Sequence, residues 1–255
     1  MNPAFRRFMG VDFLNQDRSG IRQLVRTAAD GSYTYLVTPN VDDLVKTVGG
    51  GLPPAKAEAF LAADYKVCDS KVLALLARLV GSPLVHYPGS DMVRNLLSDR
   101  LFSAVTIAVI GPSPAQFAEL RSLYPDRRLV FMEAPMPLMP GSPEWDRCVG
   151  ELLKAEWGVA LICLPLPRQQ LIAVELAQRG RSSGIAMCVG ASIDFLSGKQ
   201  KRAPGWMRSA GLEWLFRLLM EPRRLWRRYL VDGPTIFPLF LKREVLPRLR
   251  RRTAE

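Results

Sequence analysis

The chain has 255 residues, 48% of them hydrophobic, with 35 Lys+Arg against 24 Asp+Glu and a single histidine. This composition fills a sizeable core and excludes a disordered chain. One histidine also excludes three-His zinc sites, the His-Glu-x-x-His helix and every two-histidine mechanism. The net charge of +11 is uneven: residues 199–255 hold 15 basic and 5 acidic side chains, whereas residues 1–198 hold 20 and 19. A near-neutral body, 1–198, is therefore expected to carry a basic appendage, 199–255, with the boundary in the Gly- and Pro-containing segment SGKQKRAPG.

The first ten residues, MNPAFRRFMG, lack an apolar h-region, so no signal peptide is expected. A strand is predicted over Tyr33–Val37, followed by Thr38-Pro39-Asn40 and a helix over Val41–Val48. Asn40 suits a helix cap, with Thr38 fixing the turn; the same groups suit a polar ligand. A second strand, Tyr65–Cys68, leads to Asp69 and a helix over Lys71–Leu79. Asp69 is either an N-cap carboxylate, worth about 1 kcal/mol, or a general base. His86 has no visible partner and reads as structural. Gly89-Ser90-Asp91 precedes a helix over Met92–Leu97, where Ser90 and Asp91 can cap the helix or meet a ligand.

Strands then alternate with helices. Val105–Ile110 precedes the helix Pro114–Leu123, and Leu129–Met132 precedes Pro143–Trp157. Val159–Leu164 precedes Arg168–Gln178, with Gln169 in the first helical turn, and Ile185–Val189 follows. Runs such as VTIAVIG and VALICL are apolar throughout, as strands covered on both faces are. The expected class is α/β, with a mostly parallel sheet and helices on both faces. In such sheets ligands sit beyond the carboxyl ends of the strands. The four cysteines, 68, 148, 163 and 188, form no Cys-x-x-Cys pair and read as small buried hydrophobes. No apolar stretch is long enough to predict a spanning helix.

In the appendage, GLEWLFRLLMEPRRLWRRYL has helical apolar spacing interrupted at Glu221-Pro222. Arg217, Arg224 and Arg227 are spaced to share one side of an unbroken helix. Arginine suits a diphosphate. The tryptophans 206, 214 and 226, with the downstream IFPLFLKREVLPRLRRR, suit an anionic membrane surface. A nucleic-acid partner is not expected, because the body is neutral and no nucleic-acid module is visible.

From about Thr38 to about Leu230 the chain resembles the WecB/TagA/CpsF family of bacterial glycosyltransferases (glycosyltransferase family 26). The resemblance is strongest across DFLSGKQKRAPGWMRSAGLEWLFRLLMEPRRLWRRYL; TPNVDDLV, the Asp69 strand end, PGSDM and PRQQ follow in the family's order. It implies a Rossmann-like α/β body with a C-terminal appendage. It also implies an inverting, metal-free transferase without a cofactor, acting from a UDP-sugar donor on a polyprenyl-diphosphate-linked acceptor. By this resemblance Asp69 matches the base, Thr38, Asn40 and Gln169 match pocket residues, and Arg217, Arg224 and Arg227 match arginines that close over the diphosphate. The same likeness implies a peripheral protein on the cytoplasmic face of a bacterial membrane, working in exopolysaccharide assembly and able to self-associate. Two departures stand out: Asp69-Ser70 replaces the usual Asp-Gly, and CLPLPRQQ (163–170) replaces a glycine-rich segment ending in Lys-Gln-Glu. These alter the pocket wall and leave UDP-glucose, UDP-N-acetylmannosamine and its uronic acid as donors. The alternative is a non-catalytic sugar-nucleotide or membrane-binding module of the same fold.

Overall fold

The computed structural model describes residues 5–135 and 137–252; residues 1–4 and 253–255, the outer ends of the two expected segments, lie outside it. The chain opens with an antiparallel hairpin, β1 (Phe5–Phe8) and β2 (Val11–Leu14). Its turn is Met9-Gly10, both at positive φ (53° and 82°), the primed geometry that matches strand twist. Helix α1 (Arg18–Asp30) follows, capped by Asp17, whose carboxylate accepts the Gly20 N–H. Neither the hairpin nor α1 is among the predicted elements.

The predicted βαβ order holds from there, in an α/β architecture. Six strands, β3 (Thr34–Val37), β4 (Tyr65–Lys66), β5 (Thr106–Ile110), β6 (Arg128–Met132), β7 (Val159–Ile162) and β8 (Ile185–Cys188), form one wholly parallel sheet in the order β4-β3-β8-β7-β5-β6. The intervening helices are α2 (Val41–Val48), α3 (Pro54–Leu61), α4 (Lys71–Leu79), α5 (Gly89–Ser98), α6 (Pro114–Leu123), α7 (Pro143–Lys154), α8 (Arg168–Gln178) and α9 (Ser192–Leu196). Every residue of β7 and β8 is buried, because helices cover both faces of the sheet. One layer of core joins α1, α5, α6 and α9 to the sheet through Ile21, Leu97, Leu120 and Ile193. The other joins α7 and α8 through Trp145, Leu152, Ile172 and Leu176.

A third cluster lies off the sheet. It combines the hairpin (Phe8, Val11, Phe13), α2 (Leu44) and α4 (Leu73, Leu76) with Ile236 and Phe240 of the appendage. The appendage begins with α10 (Gly205–Ser209) and α11 (Glu213–Met220), which ends at Glu221 with φ −134° and ψ 60°. A new helix, α12 (Pro222–Trp226), starts at Pro222, where the missing N–H costs nothing. Helical dihedrals then continue to Arg252 through a π-helical segment, Arg227–Asp232, a 3₁₀ turn, Gly233–Thr235, and a second π segment, Leu241–Val245. Pro234 and Pro238 sit inside this run, and each removes an N–H from the regular ladder, which accounts for the altered winding.

The run is fastened to the body at its far end. The buried Glu244 accepts the Met9 N–H of the hairpin turn and pairs with Arg248, while Arg243 donates to the Val48 carbonyl at 3.1 Å. Phe240 packs on Phe8 with ring centroids 6.2 Å apart. Truncating Phe240 to alanine empties a site shared by body and appendage. The expected cost is about 3–5 kcal/mol, read as a lowered midpoint in urea with one cooperative transition for both parts. Separate transitions, or a midpoint unchanged by the substitution, would show that the two parts fold independently.

Candidate active site

The carboxyl ends of β3 and β4 open into a cavity of about 740 Å³, roofed by the appendage. Its wall includes Asn40, Asp42, Asp69, Lys71, His86, Ser90 and Asp91 from the body, and Arg202, Arg208, Glu213, Trp214, Arg217, Arg228 and Phe237 from the appendage, with Arg18 from α1.

Asp69 sits one residue beyond the bridge that pairs Cys68 with His86. Its backbone N–H donates to the Pro39 carbonyl at 3.0 Å, tying the ends of β3 and β4 together. The cap of α4 is Ser70, whose hydroxyl accepts the Leu73 N–H. Asp69 is thus released from capping and turns into the cavity. One carboxylate oxygen accepts the Gly89 N–H at 2.7 Å; the other has no hydrogen-bond partner among the described residues. Burial raises its pKa, partly offset by the Gly89 N–H and by the charges of Arg217 and Arg228, and helped by Glu213. A raised carboxylate is the better proton acceptor near neutral pH.

Asn40 caps α2, accepting the Asp43 N–H at 3.2 Å while Asp43 accepts the Asn40 N–H, and it also lines the cavity. Both of its expected roles are therefore compatible in one position. Burial pushes the Asp43 carboxyl up to about 7, against the Asn40 N–H and Arg228. Thr38 lies beneath the wall, donating from its hydroxyl to the Cys188 carbonyl at 3.1 Å. The α5 turn passes so near that a Cβ on Gly89 would stand 3.2 Å from the Thr38 hydroxyl. Ser90 and Asp91 face the cavity and are both held by Arg202, at 3.0 and 2.5 Å. Burial works to raise Asp91, but Arg202, with the charges of Arg94 and Arg18, outweighs it and holds that carboxyl below the usual range. Gln169 is buried and accepts the Gly190 N–H at 3.0 Å; it braces the ends of β7 and β8 and does not line the cavity.

The appendage arginines divide. Arg217 lines the cavity, stacks on Phe195 at 4.6 Å and pairs with Glu213. Arg224 and Arg227 lie outside the wall, mostly exposed and paired with Glu221 and Asp232. The common side expected from their spacing requires one unbroken helix, and the bend at Glu221 followed by π winding from Arg227 changes the phase. Arg228 turns inward in their place, 3.3 Å from Asp42 and 3.4 Å from Asn40. Arg18, Arg202, Arg208, Arg228, Glu213 and His86 are wall residues that the spacing argument missed. A count of basic residues in SGKQKRAPGWMR could have flagged Arg202 and Arg208; nothing local flags Arg18 or His86.

Three of these guanidinium groups share one property. The Nε of Arg202, Arg208 and Arg217 is buried in each case, without a hydrogen-bond partner among the described residues, whereas the Arg228 Nε faces the Asp42 carboxylate at 3.3 Å. A buried unused donor is costly, and three around one cavity are donors that suit a multiply charged, oxygen-rich anion. Among the described residues no cluster of three or more His, Cys, Asp or Glu could hold a metal ion. The family model described as "Glycosyl transferase WecG/TagA/CpsF family" matches residues 6–250, nearly the whole chain.

Proposed function

Because the chain belongs to the WecG/TagA/CpsF family of glycosyl transferases, it is a glycosyltransferase of the cell-surface polysaccharide pathway, and we propose the following reaction for it. A hexosyl unit passes from a UDP-sugar to a sugar hydroxyl on a polyprenyl-diphosphate-linked acceptor, with inversion at the anomeric carbon. Asp69 takes the proton from the attacking hydroxyl through its unpartnered oxygen, while Gly89 keeps the carboxylate oriented. The hydroxyl attacks C1 from the face opposite the diphosphate as the C1–O bond to UDP breaks. Charge then grows on the leaving diphosphate, and Arg217 and Arg228, with Arg202 and Arg208 beside them, stabilise it. Thr38 and Gln169 support the pocket floor, and Asn40 and Ser90 meet the ligand.

The four inward arginines around Asp69, three of them with unused donors, carry this reading. It predicts transfer from one of UDP-glucose, UDP-N-acetylmannosamine or UDP-N-acetylmannosaminuronic acid to a polyprenyl-diphosphate-sugar, unchanged by EDTA. Loss of activity in EDTA, restored by magnesium or manganese, would overturn the metal-independent step. Absence of transfer from every UDP-sugar would overturn the donor class.

The lipid portion of the acceptor needs an apolar approach. Leu230, Pro234 and Phe237 line the cavity mouth, and Trp226, Leu230, Phe237 and Leu241 are 51–57% exposed along the same helical run. Basic Arg227 lies among them in sequence, with Arg223 and Lys242 flanking the stretch. Such a surface rests on an anionic membrane at the cytoplasmic face; no helix among the described residues is long and apolar enough to cross one. Replacing Trp226 and Phe237 together by Glu is expected to weaken co-sedimentation with anionic vesicles about tenfold or more, while solution-phase UDP binding persists. Unchanged vesicle binding would sink the membrane surface assigned here.

A further inference from the structure

The lone histidine stands in the cavity wall next to the proposed base. His86 Nε2 lies 3.2 Å from the backbone carbonyl of Asp69. A carbonyl only accepts, so Nε2 carries the hydrogen and donates it. That contact fixes the tautomer and leaves Nδ1 with a bare lone pair. Among the described residues nothing hydrogen-bonds Nδ1. The residue is held from behind as well: its own carbonyl accepts from Arg18 at 3.1 Å, and its backbone bridges to Cys68.

The charged groups around the ring are Arg18, Lys71, Glu213 and Asp69. Burial lowers the imidazole pKa most, and Lys71 and Arg18 lower it further, against the Asp69 contact and Glu213. The ring is therefore neutral at physiological pH, and Nδ1 is an acceptor. The wall carboxylates and Ser90 already have cationic partners: Asp42 has Lys46 and Arg228, Ser90 and Asp91 have Arg202, and Glu213 has Arg217. The basic side chains of the wall only donate. A sugar hydroxyl donates as well as accepts, so a sugar lying against Asp69 finds an uncharged acceptor in Nδ1.

Resting on the transferase reading above, we infer that His86 Nδ1 accepts a hydrogen bond from a hydroxyl of the sugar bound beside Asp69, and so sets which sugar the site takes. That hydroxyl belongs either to the donor hexose or to the acceptor sugar; separate Michaelis constants for the two substrates distinguish them. Two near-isosteres separate the ring nitrogens. His86→Gln keeps a donor where Nε2 sits and loses the Nδ1 acceptor. His86→Asn keeps an acceptor near Nδ1.

With comparable melting temperatures, His86→Gln should raise KM for one substrate about tenfold, the worth of one uncharged hydrogen bond. Its kcat at saturation should stay near wild type, and His86→Asn should hold the same KM to within about threefold. An independent arm uses the unaltered chain, which should discriminate about tenfold against a single monodeoxy analogue of that sugar. Wild-type KM values in His86→Gln for both substrates, equal losses in the two variants, or indifference to every monodeoxy analogue would each overturn the assignment while leaving the transferase reading intact. An unaltered chain that transfers no sugar would overturn both.

Discussion

Replacing Asp69 by Asn should lower kcat for sugar transfer by about 10²- to 10⁴-fold, the usual contribution of a positioned general base, with UDP affinity little changed. The substitution is close to isosteric, and the amide oxygen still accepts the Gly89 N–H that now holds the carboxylate. What disappears is the proton acceptor facing the cavity. The pH profile provides a second reading of the same group. Burial holds the Asp69 pKa above its ordinary value of 3.8, so activity should rise through an acid limb displaced upward from the range of an exposed aspartate. That limb should vanish with the residual activity of Asp69→Asn. Full turnover in the variant, or an acid limb that survives it, would place the base elsewhere.

The sequence pattern exposed the sheet because buried parallel strands are apolar along their whole length, and β5, β7 and β8 are of that kind. Asp69 was legible for a related reason: a polar residue directly after such a strand lies at the ligand end of the sheet. Its two readings separated only in the folded chain, where Ser70 takes over the cap of α4. The hairpin escaped prediction because FRRF and VDFL are short and joined by Met9-Gly10 rather than by a common turn pair. Its reason for existing is tertiary, since Phe8 and Phe13 bury in a cluster shared with α2, α4 and the appendage. The same holds for the rest of the site. Arg18 reaches the cavity from α1, more than 180 residues away in sequence from Arg202, and His86 acquires its partner from the carbonyl of Asp69. Spacing along one helix cannot report such meetings.

The arginines test how the appendage closes. Arg217→Ala and Arg228→Ala should each lower kcat about 10²- to 10³-fold, the range for removing one preorganised donor from a developing anion. Lysine at either position should recover part of the loss, since it restores the charge without the planar fork. Arg224→Ala and Arg227→Ala should change kcat less than about threefold, because exposed ion pairs of the kind they make with Glu221 and Asp232 contribute little. Arg228 carries an additional consequence. It bridges the appendage to Asp42 and Asn40, so its loss should also raise KM for the lipid-linked acceptor, whereas loss of Arg217 should act mainly on kcat. The opposite pattern, with Arg227 essential and Arg228 dispensable, would mean that the helical run turns by about one residue when substrate binds, restoring the phase that an unbroken helix through residues 217–227 would have. The four kinetic profiles therefore determine which face of the run meets the diphosphate during turnover.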